Sequence, residues 1–226
     1  MRYTCGAGLC NRLRTALSYL EYAKSKGEEL LCTWPLNPAV NGERFDDHFQ
    51  PIDGLTFTDK LDREEGWESR QGHFPHPEHD PDFSLLVPKY NTNILKGYGY
   101  YRAIHVRSTE IFGRNLGRTW NFDYFHDFIN EPPSDYGVDG ELQAQAPAPV
   151  WLATDQRKTQ LKFSKYPEVM WLADIESKKI LNESSERHTP LKHAVIDLFM
   201  CANANQFIGT EYSSFTEAIE AIRAQS

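Results

Sequence analysis

Three short apolar segments in the second half of the chain constrain its fold most strongly. They are residues 101–107, 150–155 and 206–210, and each has the length and composition of a buried β-strand. Segments with helical spacing alternate with them, including residues 121–129, 157–165 and 190–202. Strands that alternate with helices form parallel sheets joined by right-handed crossovers. The second half of the chain therefore predicts an open α/β unit.

Each of these strands carries a polar group to its carboxyl end. The first presents His105 and Arg107, which alternate and so point to the same face, and the other two end at Asp155 and Thr210. Ligands of open α/β sheets bind outside the carboxyl ends of the strands, so these side chains are predicted to share one site. A buried arginine needs an anion, which here is either a ligand phosphate or a protein carboxylate in a structural ion pair.

A serine pair follows the third strand and begins a predicted helix. Ser214 is followed three residues later by Glu217, which is the pattern of a capping box. A helix start with hydroxyls and backbone N–H groups is also a site for anions, so Ser213, Ser214 and the amide of Phe215 suit a diphosphate. Asp155 likewise has two interpretations, as a helix N-cap or as a carboxylate that binds a base or ribose.

The first half of the chain has the opening of a nucleotide-type α/β unit. A strand stub at residues 1–4 leads into a glycine turn at residues 6–11, a helical pattern, and a strand at residues 29–34. The turn lacks the third glycine of the dinucleotide fingerprint, which argues against a nicotinamide or flavin cofactor. Residues 37–62 give a mixed pattern, and the pattern weakens near residue 95, where we place a domain boundary.

Composition excludes several classes of function. The 226 residues are 40% hydrophobic and 25% charged, which is typical of an ordinary globular protein. A net charge of −8 argues against nucleic acid or an anionic membrane surface as the partner. Within this acidic chain four arginines lie close together, either to recognise a specific anion or as surface groups paired with acids. They are Arg102, Arg107, Arg114 and Arg118.

No metal or cofactor is expected from the motifs. The four cysteines match no zinc or redox spacing and are predicted to be free, buried thiols. The best metal candidate is a histidine-rich stretch, but its prolines prevent a single helical face, and a polar loop is the better interpretation. That stretch contains His73, His76, His79, Asp80 and Asp82. There is no apolar run of about 20 residues and no secretory signal, so a cytoplasmic protein is expected.

Four segments of the chain, taken in order, resemble the GT-B fucosyltransferase superfamily. This group includes the α-1,6-fucosyltransferases, the nodulation fucosyltransferases and the protein O-fucosyltransferases. Residues 8–13 resemble its amino-terminal Gly-x-Gly-Asn-Arg loop with Cys10 at the second glycine, and residues 105–107 resemble its His-x-Arg motif. Residues 153–155 resemble the second motif, and residues 197–215 resemble the third. Together these segments span nearly the whole chain.

The resemblance implies an α/β fold of the GT-B kind, with two small Rossmann-like lobes and a cleft between them. Residues 1–95 would form the acceptor-side lobe and residues 96–226 the nucleotide-sugar lobe. The implied reaction is an inverting, metal-independent transfer of fucose from GDP-fucose to a glycan or other hydroxyl acceptor. Arg107 would hold the β-phosphate and stabilise the leaving GDP. The other implied contacts are His105 and Asp155 at the nucleoside, Thr210, Ser213, Ser214 and Phe215 at the diphosphate, and Asn11 and Arg12 from the other lobe.

Two positions after the His-x-Arg motif bear on catalysis. Ser108 stands where the α-1,6 and nodulation enzymes tend to have a second basic residue, and Glu110 stands near their acidic residues and is the candidate general base. Three alternatives stay open: a transferase for another nucleotide sugar, a homologue that binds GDP-sugar without transferring it, and an unrelated α/β protein with a phosphate site. No motif specifies the acceptor, the linkage or the oligomeric state.

Overall fold

The computed structural model describes residues 1–60, 71–72, 75–107, 122–131, 148–173 and 189–226. In chain order these residues form β1 (Arg2–Cys5), α1 (Leu9–Ser25), β2 (Leu30–Thr33), β3 (Leu55–Thr58), β4 (Gln71–Gly72), β5 (Arg102–His105), α2 (Asp123–Asn130), β6 (Val150–Ala153), α3 (Arg157–Phe163), β7 (Val169–Met170), α4 (Leu191–Ala202), β8 (Gln206–Gly209) and α5 (Ser214–Gln225). The strands form two separate four-stranded sheets in which the paired strands are parallel. The predicted α/β class is therefore confirmed.

The chain divides into two compact units. Unit 1 comprises Met1–Thr92, Pro190–Phe199 and Tyr212–Ser226, and unit 2 comprises Asn93–Thr189 and Met200–Glu211. The first division falls close to the boundary that the sequence predicts near residue 95. Two later segments, which the sequence analysis assigns to the second lobe, lie in unit 1. One of them contains α5, which packs against α1.

The sheet of unit 1 has the strand order β3-β2-β1-β4. The strand stub predicted at the amino terminus is β1, which lies inside the sheet between β2 and β4. Helix α1 buries the apolar residues that recur at helical spacing, with Leu13 and Leu20 fully inaccessible. Gly27 follows the helix in a left-handed conformation with φ of 68°, which explains why the helix stops there. Strand β3 lies within the segment whose pattern is mixed.

The sheet of unit 2 has the order β7-β6-β5-β8, so the strand that ends at His105 lies between two neighbours. Ile104, Leu152 and Phe163 lie at the centre of its core. Arg102, one of the clustered arginines, is buried, and its guanidinium donates to the carbonyl oxygens of Phe128, Ile129 and Glu131 at the end of α2. Arg102 is therefore a cap for the carboxyl end of a helix, where a cation is favoured.

The four cysteines, Cys5, Cys10, Cys32 and Cys201, are free and buried, as predicted. Among the residues that the structure describes, no helix is both long and apolar enough to span a bilayer.

Candidate functional site

The carboxyl edge of the unit 2 sheet brings together the polar groups that the sequence predicts there. His105 pairs in register with Ala153 of β6 and Gly209 of β8. Arg107, Asp155 and Thr210 follow these strands directly, so they lie at one edge of the sheet. In an open parallel sheet this is the edge at which ligands bind.

Thr210 ties the ends of β5 and β8 together. It is 3% exposed, and its hydroxyl donates to the carbonyl oxygen of His105 at 3.1 Å and accepts the backbone N–H of Arg107 at 2.9 Å. Its own backbone N–H donates to the same His105 oxygen at 2.9 Å. A hydroxyl has a single proton, and here the protein uses it, so nothing remains to donate to a phosphate. This geometry favours a positioning role beside Arg107 over the direct diphosphate contact that the resemblance implies.

His105 and Arg107 share the edge but differ in charge. Burial, and then the nearby Arg107 guanidinium, lower the pKa of His105 to about 3. His105 is 6% exposed and is neutral at neutral pH, so it can donate or accept a hydrogen bond but adds no positive charge. Arg107 is half-buried just after the strand and carries a positive charge at this edge.

The lowered pKa of His105 predicts an acid-dependent loss of stability. Between pH 6.5 and about 3 the unfolded chain binds one proton at His105 that the folded chain does not bind, so stability falls as the pH falls. The slope from one such group is about 1.4 kcal/mol per pH unit. We expect His105→Asn to remove this pH dependence, so that the free energy of unfolding of wild type falls by about 2 kcal/mol more than that of the variant between pH 7 and pH 5. Denaturant unfolding at the two pH values measures the difference.

The comparison with the variant isolates this one residue. Burial also lowers the pKa of His48, His126 and His193, but these residues are present in both proteins and their contributions cancel. Equal losses of stability in wild type and His105→Asn would show that His105 takes up its proton in the folded protein.

Asp155 is half-buried after β6, and the structure decides between its two interpretations. Helix α3 begins at Arg157 with Gln156 as the N-cap, so Asp155 does not cap it. The N-cap interpretation is therefore wrong. The carboxylate remains a candidate acceptor for ligand hydroxyl or N–H groups at the same edge as Arg107.

In unit 1 the glycine turn between β1 and α1 is held by a buried arginine. Arg12 is fully buried, and its guanidinium donates to Ala7 O at 2.7 Å, Pro35 O at 2.8 Å and Asn37 Oδ1 at 2.9 Å. It also lies over the Trp34 ring, 5.0 Å from the ring centroid. This arrangement favours a role in holding the turn, in which Ala7 has a left-handed φ of 59°.

Asn11 has a more accessible position than Arg12 in the first turn of α1. It is half-buried, and its side-chain oxygen accepts a hydrogen bond from Arg14 at 2.9 Å. The amide group of Asn11 keeps its donor character, so Asn11 suits contact with a ligand better than Arg12 does.

The start of α5 has a buried hydroxyl. Ser213 is the N-cap, yet its side chain makes no capping bond, and its fully buried Oγ has no hydrogen-bond partner in the described part of the chain. The predicted capping box is wrong, because the N-cap lies one residue before Ser214 and the Glu217 carboxylate pairs with Arg14 at 2.6 Å. Ser214 and Phe215 are the half-buried first residues of the helix. A buried hydroxyl without a partner costs about 1–3 kcal/mol, which an anion at the helix start would offset.

Tyr212 is a candidate residue that no sequence motif indicated. This residue is 61% exposed and has a left-handed φ of 58°, and it lies between Thr210 and Ser213 in the chain. A bulky residue with positive φ is strained, and such residues cluster at functional sites. An aromatic residue directly before the serine pair was visible in the sequence, but its backbone conformation was not.

Several predicted residues lie outside the described part of the chain. They are Glu110, the candidate base, together with Ser108, Arg114, Arg118 and His73. Two residues of the histidine-rich stretch contact rings near α1. The His76 ring stacks on the ring of Tyr22 with centroids 4.2 Å apart, and the His79 ring centroid lies 5.0 Å from that of His76. The described residues contain no group of three metal-binding side chains close enough to hold an ion.

Comparison with known proteins bears on the fold. No protein-family model and no curated protein matches the sequence. The structure is similar to a crystal structure of NodZ α-1,6-fucosyltransferase soaked with GDP-fucose, with a TM-score of 0.59, 15% identity, and coverage of 98% of this chain and 92% of that chain. For NodZ α-1,6-fucosyltransferase co-crystallised with GDP, the TM-score is 0.57 and the identity is 14%, and the match covers 97% of this chain and 91% of that chain. Fucosyltransferase NodZ from Bradyrhizobium gives a TM-score of 0.55 at 14% identity, with coverage of 97% and 92%. At such identities the likeness shows a shared fold.

Proposed function

We propose that this protein is an inverting, metal-independent glycosyltransferase that moves fucose from GDP-fucose to a glycan or other hydroxyl acceptor. The observation that carries the proposal is the carboxyl edge of the unit 2 sheet, where Arg107 and Asp155 follow neighbouring strands. Two of the solved structures that share the fold were obtained with GDP-fucose or GDP, which supports a guanine nucleotide as the ligand.

Arg107 is proposed to stabilise the leaving diphosphate. When the bond between the anomeric carbon and the phosphate oxygen breaks, negative charge accumulates on the β-phosphate. A guanidinium fork can donate two hydrogen bonds to it and stabilise that charge. Thr210 fixes the backbone from which the Arg107 side chain extends, which reduces the conformational freedom that remains to be lost when the fork binds phosphate. Because a fixed cation supplies the positive charge, no metal ion is needed for this step.

The nucleoside is proposed to contact the neutral and acidic groups of the same edge. Neutral His105 can donate or accept a hydrogen bond, and the Asp155 carboxylate can accept from ribose hydroxyls or from guanine N–H groups. Within unit 1, the start of α5 offers the hydroxyls of Ser213 and Ser214 and the amide of Phe215 as hydrogen-bond donors that suit a diphosphate. Asn11, in the first turn of α1, is the remaining candidate contact.

Inversion requires one displacement at the anomeric carbon. The acceptor hydroxyl attacks from the face opposite the diphosphate, its oxygen forms the new glycosidic bond, and the bond to the phosphate oxygen breaks. The hydroxyl proton passes to a base, and Glu110 is the residue that we propose for this role.

Calorimetric titration without added metal and with EDTA tests the donor. GDP and GDP-fucose are expected to bind, and a UDP-sugar is expected not to. Tighter binding of GDP-mannose than of GDP-fucose would move the proposal to another nucleotide sugar. Failure to bind any guanine nucleotide would contradict it, and Arg107 would then be the cation of a structural ion pair.

A further inference from the structure

A small pocket opens at the carboxyl ends of β2 and β3, within unit 1. Its volume is about 190 Å³, below the roughly 300–1,000 Å³ of sites for drug-sized ligands. Its aromatic side is formed by Trp34, Phe45 and Phe57, and its polar side by Arg44, Asp46, Thr58 and Asp59. We call it the β2–β3 pocket. It lies at the edge of the sheet where open α/β folds bind ligands, and it has the size of a single ring.

The aromatic side of the pocket is rigid. Phe45 stacks on Phe57 with ring centroids 4.1 Å apart, and the Trp34 ring meets Phe57 edge-on at 5.5 Å. The Trp34 indole N–H also donates to Glu43 O at 3.1 Å. Trp34 and Phe45 are almost completely buried, whereas Phe57 is half-buried. Phe57 is therefore the ring that offers a surface to a ligand, and its two neighbours hold it in place.

The polar side carries both donors and acceptors, with a small negative excess. Arg44 forms an ion pair with Asp59, and their side chains are 60% and 26% exposed. The carboxylate of Asp46 has no hydrogen-bond or ion-pair partner among the described residues and is exposed. One cation and two anions give the pocket a formal charge of −1, which disfavours phosphates and carboxylates. A sugar hydroxyl, which both donates and accepts, can use all three groups.

These polar groups contribute little to the stability of the fold. An exposed ion pair such as Arg44–Asp59 has a small effect on stability. The Asp46 carboxylate has no partner among the described residues and so adds no such effect. We propose that the β2–β3 pocket binds one pyranose ring of a neutral saccharide. One face of the pyranose packs on the Phe57 ring, and the sugar hydroxyls form hydrogen bonds with Arg44, Asp46 and Asp59. None of the lining residues is among the proposed nucleotide contacts, so this binding is expected to occur without nucleotide.

Protein NMR on the full chain tests the saccharide site without nucleotide. The probes are the methyl glycosides of glucose, N-acetylglucosamine, galactose, mannose and fucose, at concentrations suited to the weak affinity of a single ring. At least one glycoside is expected to give saturable shifts at the Trp34 indole N–H and the Thr58 amide. Asp59→Asn should weaken this binding by about ten-fold or more, since it removes a charged hydrogen-bond acceptor. Asp53→Asn, an exposed change in a turn outside the pocket, should leave it unchanged.

Three outcomes would overturn the inference. They are the absence of shifts with every glycoside, equal affinities in wild type and Asp59→Asn, and tighter binding of glucose 6-phosphate than of neutral glucose. Thermal unfolding of Asp59→Asn shows whether the variant folds, and Asp46→Asn provides a second variant at an exposed position. Titration of the same samples with GDP separates this site from the donor site. A protein that binds GDP but no glycoside would overturn the saccharide site and leave the proposed function intact.

Discussion

Replacing Arg107 with alanine is expected to lower kcat/KM for transfer from GDP-fucose by about 100-fold or more. The guanidinium is proposed to stabilise charge that develops on the diphosphate only as the glycosidic bond breaks, so its loss should affect turnover more than binding. The measurement is release of GDP from GDP-fucose in the presence of a panel of oligosaccharide acceptors, with affinity for GDP measured in parallel. Arg107→Lys keeps the charge but loses the fork, so its kcat/KM should lie between those of wild type and Arg107→Ala.

Arg223→Ala is the matched control, because Arg223 lies in the last turn of α5, far from the start of that helix. If Arg107→Ala leaves turnover unchanged and lowers only the free energy of unfolding, Arg107 belongs to an ion pair within unit 2. If wild type binds GDP-fucose but transfers no sugar to any acceptor, and Arg107→Ala lowers only the affinity, the protein is a GDP-sugar-binding homologue.

The second large effect is expected at Arg12. Arg12→Met keeps the packing of the side-chain stem, but it leaves Ala7 O and Pro35 O without their side-chain donor, and Asn37 Oδ1 keeps only the backbone N–H of Ala39. Hydrogen bonds from a charged donor contribute about 1.5–3 kcal/mol each, and the losses are not additive, so we expect unit 1 to lose about 3–5 kcal/mol. Domains have only about 5–15 kcal/mol of net stability, so this is a severe change. Native-state hydrogen exchange at the amides of α1 and β2 measures it without assuming that the two units unfold together.

Arg14→Ala provides the comparison within the same helix. Arg14 pairs with Glu217, and both side chains are partly exposed, so its loss should cost less than about 1 kcal/mol. If Arg12 instead contacts the nucleotide, Arg12→Met would lower the affinity for GDP and leave the exchange rates of unit 1 unchanged.

The fold class could be predicted because three strands of unit 2 contain adjacent apolar residues and alternate with helical segments. Residues 150–153 are a continuous buried apolar run, residues 206–209 contain the adjacent apolar pair Phe207 and Ile208, and both segments are found as strands. Strand β3 could not be predicted, since Leu55–Thr58 offers only two apolar residues in alternation. It is a strand because the parallel pairing with β2 stabilises it, and this pairing is tertiary.

The candidate site was predictable as a location but not as a set of roles. Strand ends can be read from the sequence, which predicts His105, Arg107 and Asp155 at one sheet edge, and these residues lie at the ends of the neighbouring strands β5 and β6. The bonds that decide roles join residues far apart in the chain, such as Thr210 to Arg107 and Arg12 to Pro35. The start of α5 was misplaced by one residue, which is the usual uncertainty of a helix end.

The division of unit 1 among separate stretches of the chain has a consequence during translation. Met1–Thr92 leaves the ribosome first, but α5, which packs against α1, belongs to Tyr212–Ser226, about 120 residues later. At roughly 5–20 residues per second this delay lasts roughly 6–24 s. Throughout it, the nascent chain exposes the apolar face of α1 that α5 later covers. The sheet of unit 1 lies within the first 72 residues and can form earlier, but the packing of unit 1 is complete only after α5 has been synthesised.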